Sequence, residues 1–84
     1  MDARDFQKLQ IGMYVTTKKK ARASMVCSDF HIIKGFRNGG IILQPMLPDG
    51  TEAPNNGQFW EHHQDIDITL ALYASDYRET IAIG

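Results

Sequence analysis

The chain has 84 residues, 43% hydrophobic and 23% charged, with a single cysteine and a formal net charge of −1. That composition excludes a disordered chain, an intrachain disulfide and the metal frameworks that need several cysteines. Residues 1–42 carry eight Lys and Arg against three acids, whereas residues 43–84 carry only Arg78 against seven, a division that the net value hides.

In chain order, a lead-in holding Phe6, Leu9 and Ile11 precedes Gly12–Thr17, whose β-branched and aromatic residues predict a first strand. A basic loop follows at Lys18, Lys19, Lys20 and Arg22. Asp29–Phe36 and Ile41–Leu47 form the clearest local signal, a hairpin closed by Asn38-Gly39 as a type I′ turn. With an unbroken register, Phe36 faces Ile41, Lys34 faces Leu43, Ile32 faces Pro45 and Phe30 faces Leu47. Phe30, Ile32, Phe36, Ile41, Leu43 and Leu47 then form the core face, with Lys34 among them. His31, Ile33, Gly35, Ile42, Gln44 and Met46 form the other face. Pro48-Asp49-Gly50-Thr51 predicts a tight turn, and Pro54-Asn55-Asn56-Gly57 extends it into a loop. Phe59–His63 predicts a fourth strand. Ile66, Ile68, Leu70 and Leu72 alternate with Asp65, Asp67, Thr69 and Ala71, the period of a fifth. Asp76–Glu79 is expected to turn before a last short strand at Thr80–Ile83.

Five or six short strands in one domain, residues 1–84, predict an all-β fold, a small antiparallel barrel. The lead-in FQKLQIGMYV, then a loop, a hairpin and a fourth strand, resembles an SH3-like small barrel over residues 6–70. An OB-like barrel is the structural alternative. The resemblance is one of pattern and carries no site or function with it.

Several residues invite chemistry and are weighed against plainer roles. Lys18, Lys19, Lys20 and Arg22, with Arg37 nearby in the pattern, suit phosphate contacts, and Tyr14, His31 and Phe36 would add stacking. The plainer role is a solubilising loop. Glu61, His62, His63, Asp65 and Asp67 are metal-ligand types, but adjacent residues of a strand point to opposite faces, so no metal site is expected. Trp60 and Phe59 would form a peptide groove if exposed, and core or core rim otherwise. Cys27 lies four residues from His31, too far along a strand for proton transfer, and reads as an inert thiol. No nucleotide, phosphate-loop or nucleophile fingerprint occurs, so neither a cofactor nor catalysis is expected.

Ile33, Ile42 and Met46 fall together on the outward face of the hairpin and are the expected protein interface. The function expected from the sequence is thus a non-catalytic binding module that contacts a protein partner or self-associates as a homo-oligomer. A compact, motif-free chain of this kind suits an accessory protein of a phage or mobile element. The alternatives are a nucleic-acid-binding protein using the 18–22 loop, and a small metal-dependent or oligomer-centred enzyme. An unpaired thiol and the absence of a signal-like stretch point to the cytoplasm. No apolar run approaches the roughly 20 residues that span a membrane, so no membrane partner is expected.

Overall fold

The computed structural model describes residues 2–18, 28–53 and 57–83. Its elements are α1 (Ala3–Phe6), β1 (Tyr14–Thr17), β2 (Phe30–Arg37), β3 (Gly40–Pro45), β4 (Phe59–His62), β5 (Ile68–Leu72) and α2 (Ala74–Ile83). The five strands form one antiparallel sheet in the order β4-β3-β2-β1-β5. Strands β1 to β4 follow one another as a meander, and β5 returns to pair with β1. The sheet is not closed into the barrel that the strand count suggested: β4 and β5 are its two outer strands, each with one unpaired edge among the described residues.

Asn38 and Gly39 adopt φ values of 50° and 73°, the positive pair that a type I′ turn requires. From this turn the hairpin starts in the expected register, with Arg37 opposite Gly40, Phe36 opposite Ile41 and Gly35 opposite Ile42. The register then shifts by one. Ile33 faces Leu43, Ile32 faces Gln44 and His31 faces Pro45, leaving Lys34 as an extra residue in β2. This β-bulge reverses which side of the sheet the first half of β2 presents. Ile33 joins Phe36, Ile41 and Leu43 on one face, while Phe30 and Ile32 move to the other. The expected division of the hairpin faces is therefore corrected for that half of β2. Ile33 is 0% exposed.

The core follows from this arrangement. Met13, Val15, Ile33, Ile41, Leu43 and Ile66 form a buried cluster, with Phe6, Leu9, Phe59 and Ile68 packed against it. Phe6, at the end of α1, and Leu9, just after it, bring the lead-in onto this cluster. Asp2 starts that helix, its carboxylate accepting from the Arg4 amide at 3.1 Å. Ile66, the first apolar residue of the alternating segment, is buried on the approach to β5, and the strand itself begins at Ile68.

The predicted turn at residues 48–51 forms. Gly50 has φ of 90°, the Leu47 carbonyl accepts from the Gly50 amide, and Asp49 accepts from both the amide and the hydroxyl of Thr51. Those bonds to the charged form hold the Asp49 carboxyl below its ordinary pKa, the Thr51 hydroxyl contributing most. The expected strand at 80–83 does not form, because these residues belong to α2. Its inward residues are few: Tyr77 is buried, and Ile81 lies one turn on, beside Gly50. The Tyr77 ring stacks on Tyr14 with centroids 3.8 Å apart and meets the edge of Phe30 at 5.0 Å. Burial raises the Tyr77 pKa, with Tyr14 and Asp49 adding to it. The helix thereby covers part of the face opposite the main core. No helix among the described residues is long and apolar enough to cross a membrane.

Lys34, the charged residue in the apolar pattern, pairs with Glu52 at 2.9 Å and is partly exposed. An ammonium in an apolar face calls for a carboxylate, and the acid-rich C-terminal half offers Glu61, Asp65 or Asp67 as the expected partner. Glu52 arrives instead because Met46 and Glu52 form an isolated bridge beside β3. Replacing Lys34 by Glu sets two carboxylates together and is expected to lower stability by about 1 kcal/mol, or about 4–8 °C in Tm. Lys34→Met should stay within about 0.5 kcal/mol of the native chain. Thermal denaturation of both variants checks this, and an unchanged Tm in Lys34→Glu shows that the pair contributes nothing.

Candidate binding surface at the hairpin end of the sheet

Gly40 lies just past the Asn38-Gly39 turn, where β3 begins opposite His62 of β4. A Cβ at this position would collide with the Trp60 indole and with the Glu61 carbonyl. The missing side chain is thus the seat of Trp60. The indole Nε1 donates to the Arg37 carbonyl at 2.7 Å, so the ring is held from two sides by the hairpin it lies on. Trp60 nevertheless remains 46% exposed.

Beside this ring, Arg37, Asn38, Ile42, Gln58 and Trp60 line an open cleft of about 460 Å³. Ile42 forms its apolar part, standing opposite Trp60 on β4 and Gly35 on β2. The lining therefore offers an aromatic ring, an aliphatic side chain, two amides and one cation, with no carboxylate. A second depression between Thr17, Leu43, Phe59, Glu61, Asp65 and Ile66 has room for about 10 Å³, no more than a water.

An aromatic row runs from the cleft around the turn. Trp60 meets His62 at 6.0 Å, His62 meets His63 at 4.5 Å, His63 meets Phe6 at 5.3 Å, and Phe6 meets Phe36 at 5.5 Å. The two imidazoles come together because β4 ends at His62 and the chain turns at residues 63–65, where the Gly39 carbonyl accepts from the His63 amide at 3.1 Å. The bend that an extended strand would not provide is therefore present. His62 Nδ1 accepts from the Gln64 amide at 3.2 Å, which occupies that nitrogen. No cluster of three or more His, Cys, Asp or Glu able to hold a metal ion forms among the described residues. Asp67 is near Lys18 at 3.8 Å instead.

The sequence-expected sites are dispersed. Of the apolar trio, Ile33 and Met46 are buried, at 0% and 2% exposure, and only Ile42 reaches the surface, in the cleft. The bulge accounts for Ile33, which it carries into the core. Of the basic set, Lys18 follows β1 at the end of the sheet where Thr16 pairs with Phe30, whereas Arg37 ends β2 seven residues beyond Phe30. At about 3.3 Å per residue, this puts the two cations roughly 20 Å apart, at opposite ends. Lys19, Lys20, Arg22 and Cys27 lie outside the described residues. Sequence reasoning passed over the Trp60 seat, although a signal existed. Gly40 is a glycine the two-residue turn does not need, and an extra glycine inside a strand marks a close approach.

His31 is 2% exposed, between Val15 on β1 and Pro45 on β3, with its ring edge-on to Phe59 at 5.5 Å. Neither ring nitrogen has a hydrogen-bond partner of good geometry among the described residues. Burial lowers its pKa, and this outweighs the nearby Val15 and Asp29 backbone and the Asp29 carboxylate, which act in the opposite direction. The ring is therefore a neutral core side chain.

Comparison with protein-family models, curated proteins and solved structures finds no match to this chain. The surface chemistry alone carries the functional reading.

Two predictions follow from these positions. Gly40→Ala should push the Trp60 ring and the β4 backbone away from the hairpin, at a cost of about 1–3 kcal/mol. Because Trp60 is the single tryptophan, a shift in its emission maximum reports the displacement directly. The second concerns His31. In the unfolded chain His31 takes up its proton near pH 6.5, while the folded chain holds it neutral to lower pH. Its contribution to stability is therefore complete above about pH 6.5 and falls as the pH drops below that value. Melting temperatures between pH 7.5 and 5 should decline less steeply in His31→Leu than in the native chain. Parallel slopes would show that His31 is not the proton acceptor.

Proposed function

We propose that this chain is a non-catalytic binding module that adds a protein strand to the outer edge of β5, a second copy of itself being the first partner. The observation that carries this reading is the composition of that edge. Ile68-Thr69-Leu70-Ala71-Leu72 contains no charge, proline or glycine, three of the features by which outer strands avoid pairing with other chains, and its one irregularity is the register shift against β1 that makes Thr69 an extra residue. Leu70 is 46% exposed, and Tyr73, immediately after the strand, is 57% exposed. The other outer strand, β4, is shorter and carries Glu61.

Antiparallel pairing of two β5 strands centred on Leu70 is isologous and gives one continuous ten-stranded sheet. In that register each copy's Asp67 stands opposite the other's Tyr73, so no like charges meet. The main buried cluster is small, six residues with four partly buried ones packed on it, which also favours association. For the architecture, we propose an SH3-like arrangement. What supports it is strand order alone, a four-strand meander with the fifth strand returned beside the first.

Size-exclusion chromatography with light scattering tests the self-pairing. The native chain should run as a dimer, little affected by salt because the edge is uncharged. Leu70→Lys and Ala71→Lys should run as folded monomers, since both side chains are exposed, with a Tm below that of the native dimer and independent of protein concentration. A native chain that stays monomeric at high protein concentration sinks the self-pairing.

A further inference from the structure

We infer that the cleft beside Trp60 is a nucleotide subsite for single-stranded nucleic acid, with a base stacked on the indole and a phosphate on Arg37. The indole N–H is already engaged by the Arg37 carbonyl, so the ring has only its face to offer a ligand. This disfavours a peptide groove in which a tryptophan N–H donates to the ligand backbone. It suits a flat π-system, for which the face is the recognition element. The ring is also fixed in advance. Gly40 and the Arg37 carbonyl hold it in place, so stacking costs little further ordering.

The charge of the cleft points the same way. Arg37 is its single ion, no acid lines it, and Arg37 makes no ion pair among the described residues. A guanidinium at the end of a stacking surface matches a phosphate beside a base. Asn38 and Gln58 present amides, each with donor and acceptor atoms suited to a base edge without demanding one particular base. A volume of about 460 Å³ accommodates one nucleotide unit. The site differs from the basic loop at residues 18–22, which begins at the far end of the sheet. It is also independent of the β5 edge.

The single tryptophan makes the test direct. The full chain is titrated with an oligothymidylate of eight nucleotides, following Trp60 emission, and with the same oligomer carrying a dye, following anisotropy. Stacking should quench the emission in proportion to the bound fraction. Trp60→Ala should weaken binding about 10- to 100-fold, the effect of losing one base stack. Because that change also removes a packed ring, Gln58→Ala and Arg37→Gln serve as variants with the ring kept. Gln58→Ala should weaken binding several-fold. Arg37→Gln should flatten the dependence of log K on log salt, which for one phosphate has a slope of about −0.7. Leu70→Lys should bind like the native chain, so a failure at β5 is told apart from a failure here.

Four results overturn the inference. One is oligomer binding that leaves the Trp60 emission unchanged. A second is a slope near −3 that Arg37→Gln does not alter, which transfers binding to the four cations of residues 18–22. A third is thymidine monophosphate binding as tightly as the oligomer, which assigns the cleft to free nucleotides. The last is quenching by a proline-rich peptide but not by the oligomer, which assigns it to protein.

Discussion

The apolar core of the hairpin depends on Lys34 standing as an extra residue in β2. Ile33 and Phe36 are three positions apart and would fall on opposite sides of a regular strand. With one residue bulged out, they stand opposite Leu43 and Ile41, two neighbours on the same face of β3. The buried cluster of Ile33, Ile41 and Leu43 exists only in this phase. The ammonium is the residue best suited to be extruded, since an unpaired charge inside the core would cost several kcal/mol. Its pairing with Glu52 at the rim also ties the segment after β3 back to β2.

The bulge sets the chemistry of the second face as well. By sending Ile33 and His31 into the core, it brings Phe30 and Ile32 to the side where α2 lies, and Tyr77 packs there against Tyr14 and Phe30. Nearer the turn no helix among the described residues lies over the same face. Ile42 and Trp60 are left partly open, bordered by Arg37, Asn38 and Gln58. The exposed cleft is thus the part of the second face that α2 does not cover. Its rigidity comes from Gly40, which admits the indole against the strand backbone.

Much of this fold was legible because it is local. Asn38-Gly39 specifies its turn by backbone conformation, and Asp49 and Gly50 specify theirs; the alternation from Ile68 to Leu72 specifies a strand but not its faces, because a register shift sets Ile68 opposite Thr17 and Leu70 opposite Thr16, on opposite sides of the sheet. The register shift was not legible in the same way, because it is chosen by non-local packing of Ile33 on Leu43 and by Glu52 arriving beside Lys34. A lysine within an apolar face was nonetheless its visible symptom. Helix α2 escaped because it anchors through Tyr77 and Ile81, too few residues to give a periodic stripe, and the contacts of Tyr77 lie on β1 and β2. Of the expected apolar trio, the register shift carries Ile33 to the core side, Met46 is buried without changing side, and Ile42 alone stays at the surface.

Strand order places the two proposed surfaces at opposite edges of the sheet. Trp60 is on β4 and the pairing edge is on β5, with β3, β2 and β1 between them. Pairing through β5 therefore leaves both clefts unobstructed, on the outermost strands of ten. Nine inter-strand steps of about 4.8 Å separate those strands by about 40 Å. A short oligonucleotide then occupies one cleft, whereas a longer single strand reaches both, and the second contact is made at the effective concentration that the intervening strand sets. If the two proposals hold together, one nucleotide subsite per chain would gain avidity from the uncharged β5 edge rather than from a broad basic surface. This reconciles a nucleic-acid contact with a net charge of −1.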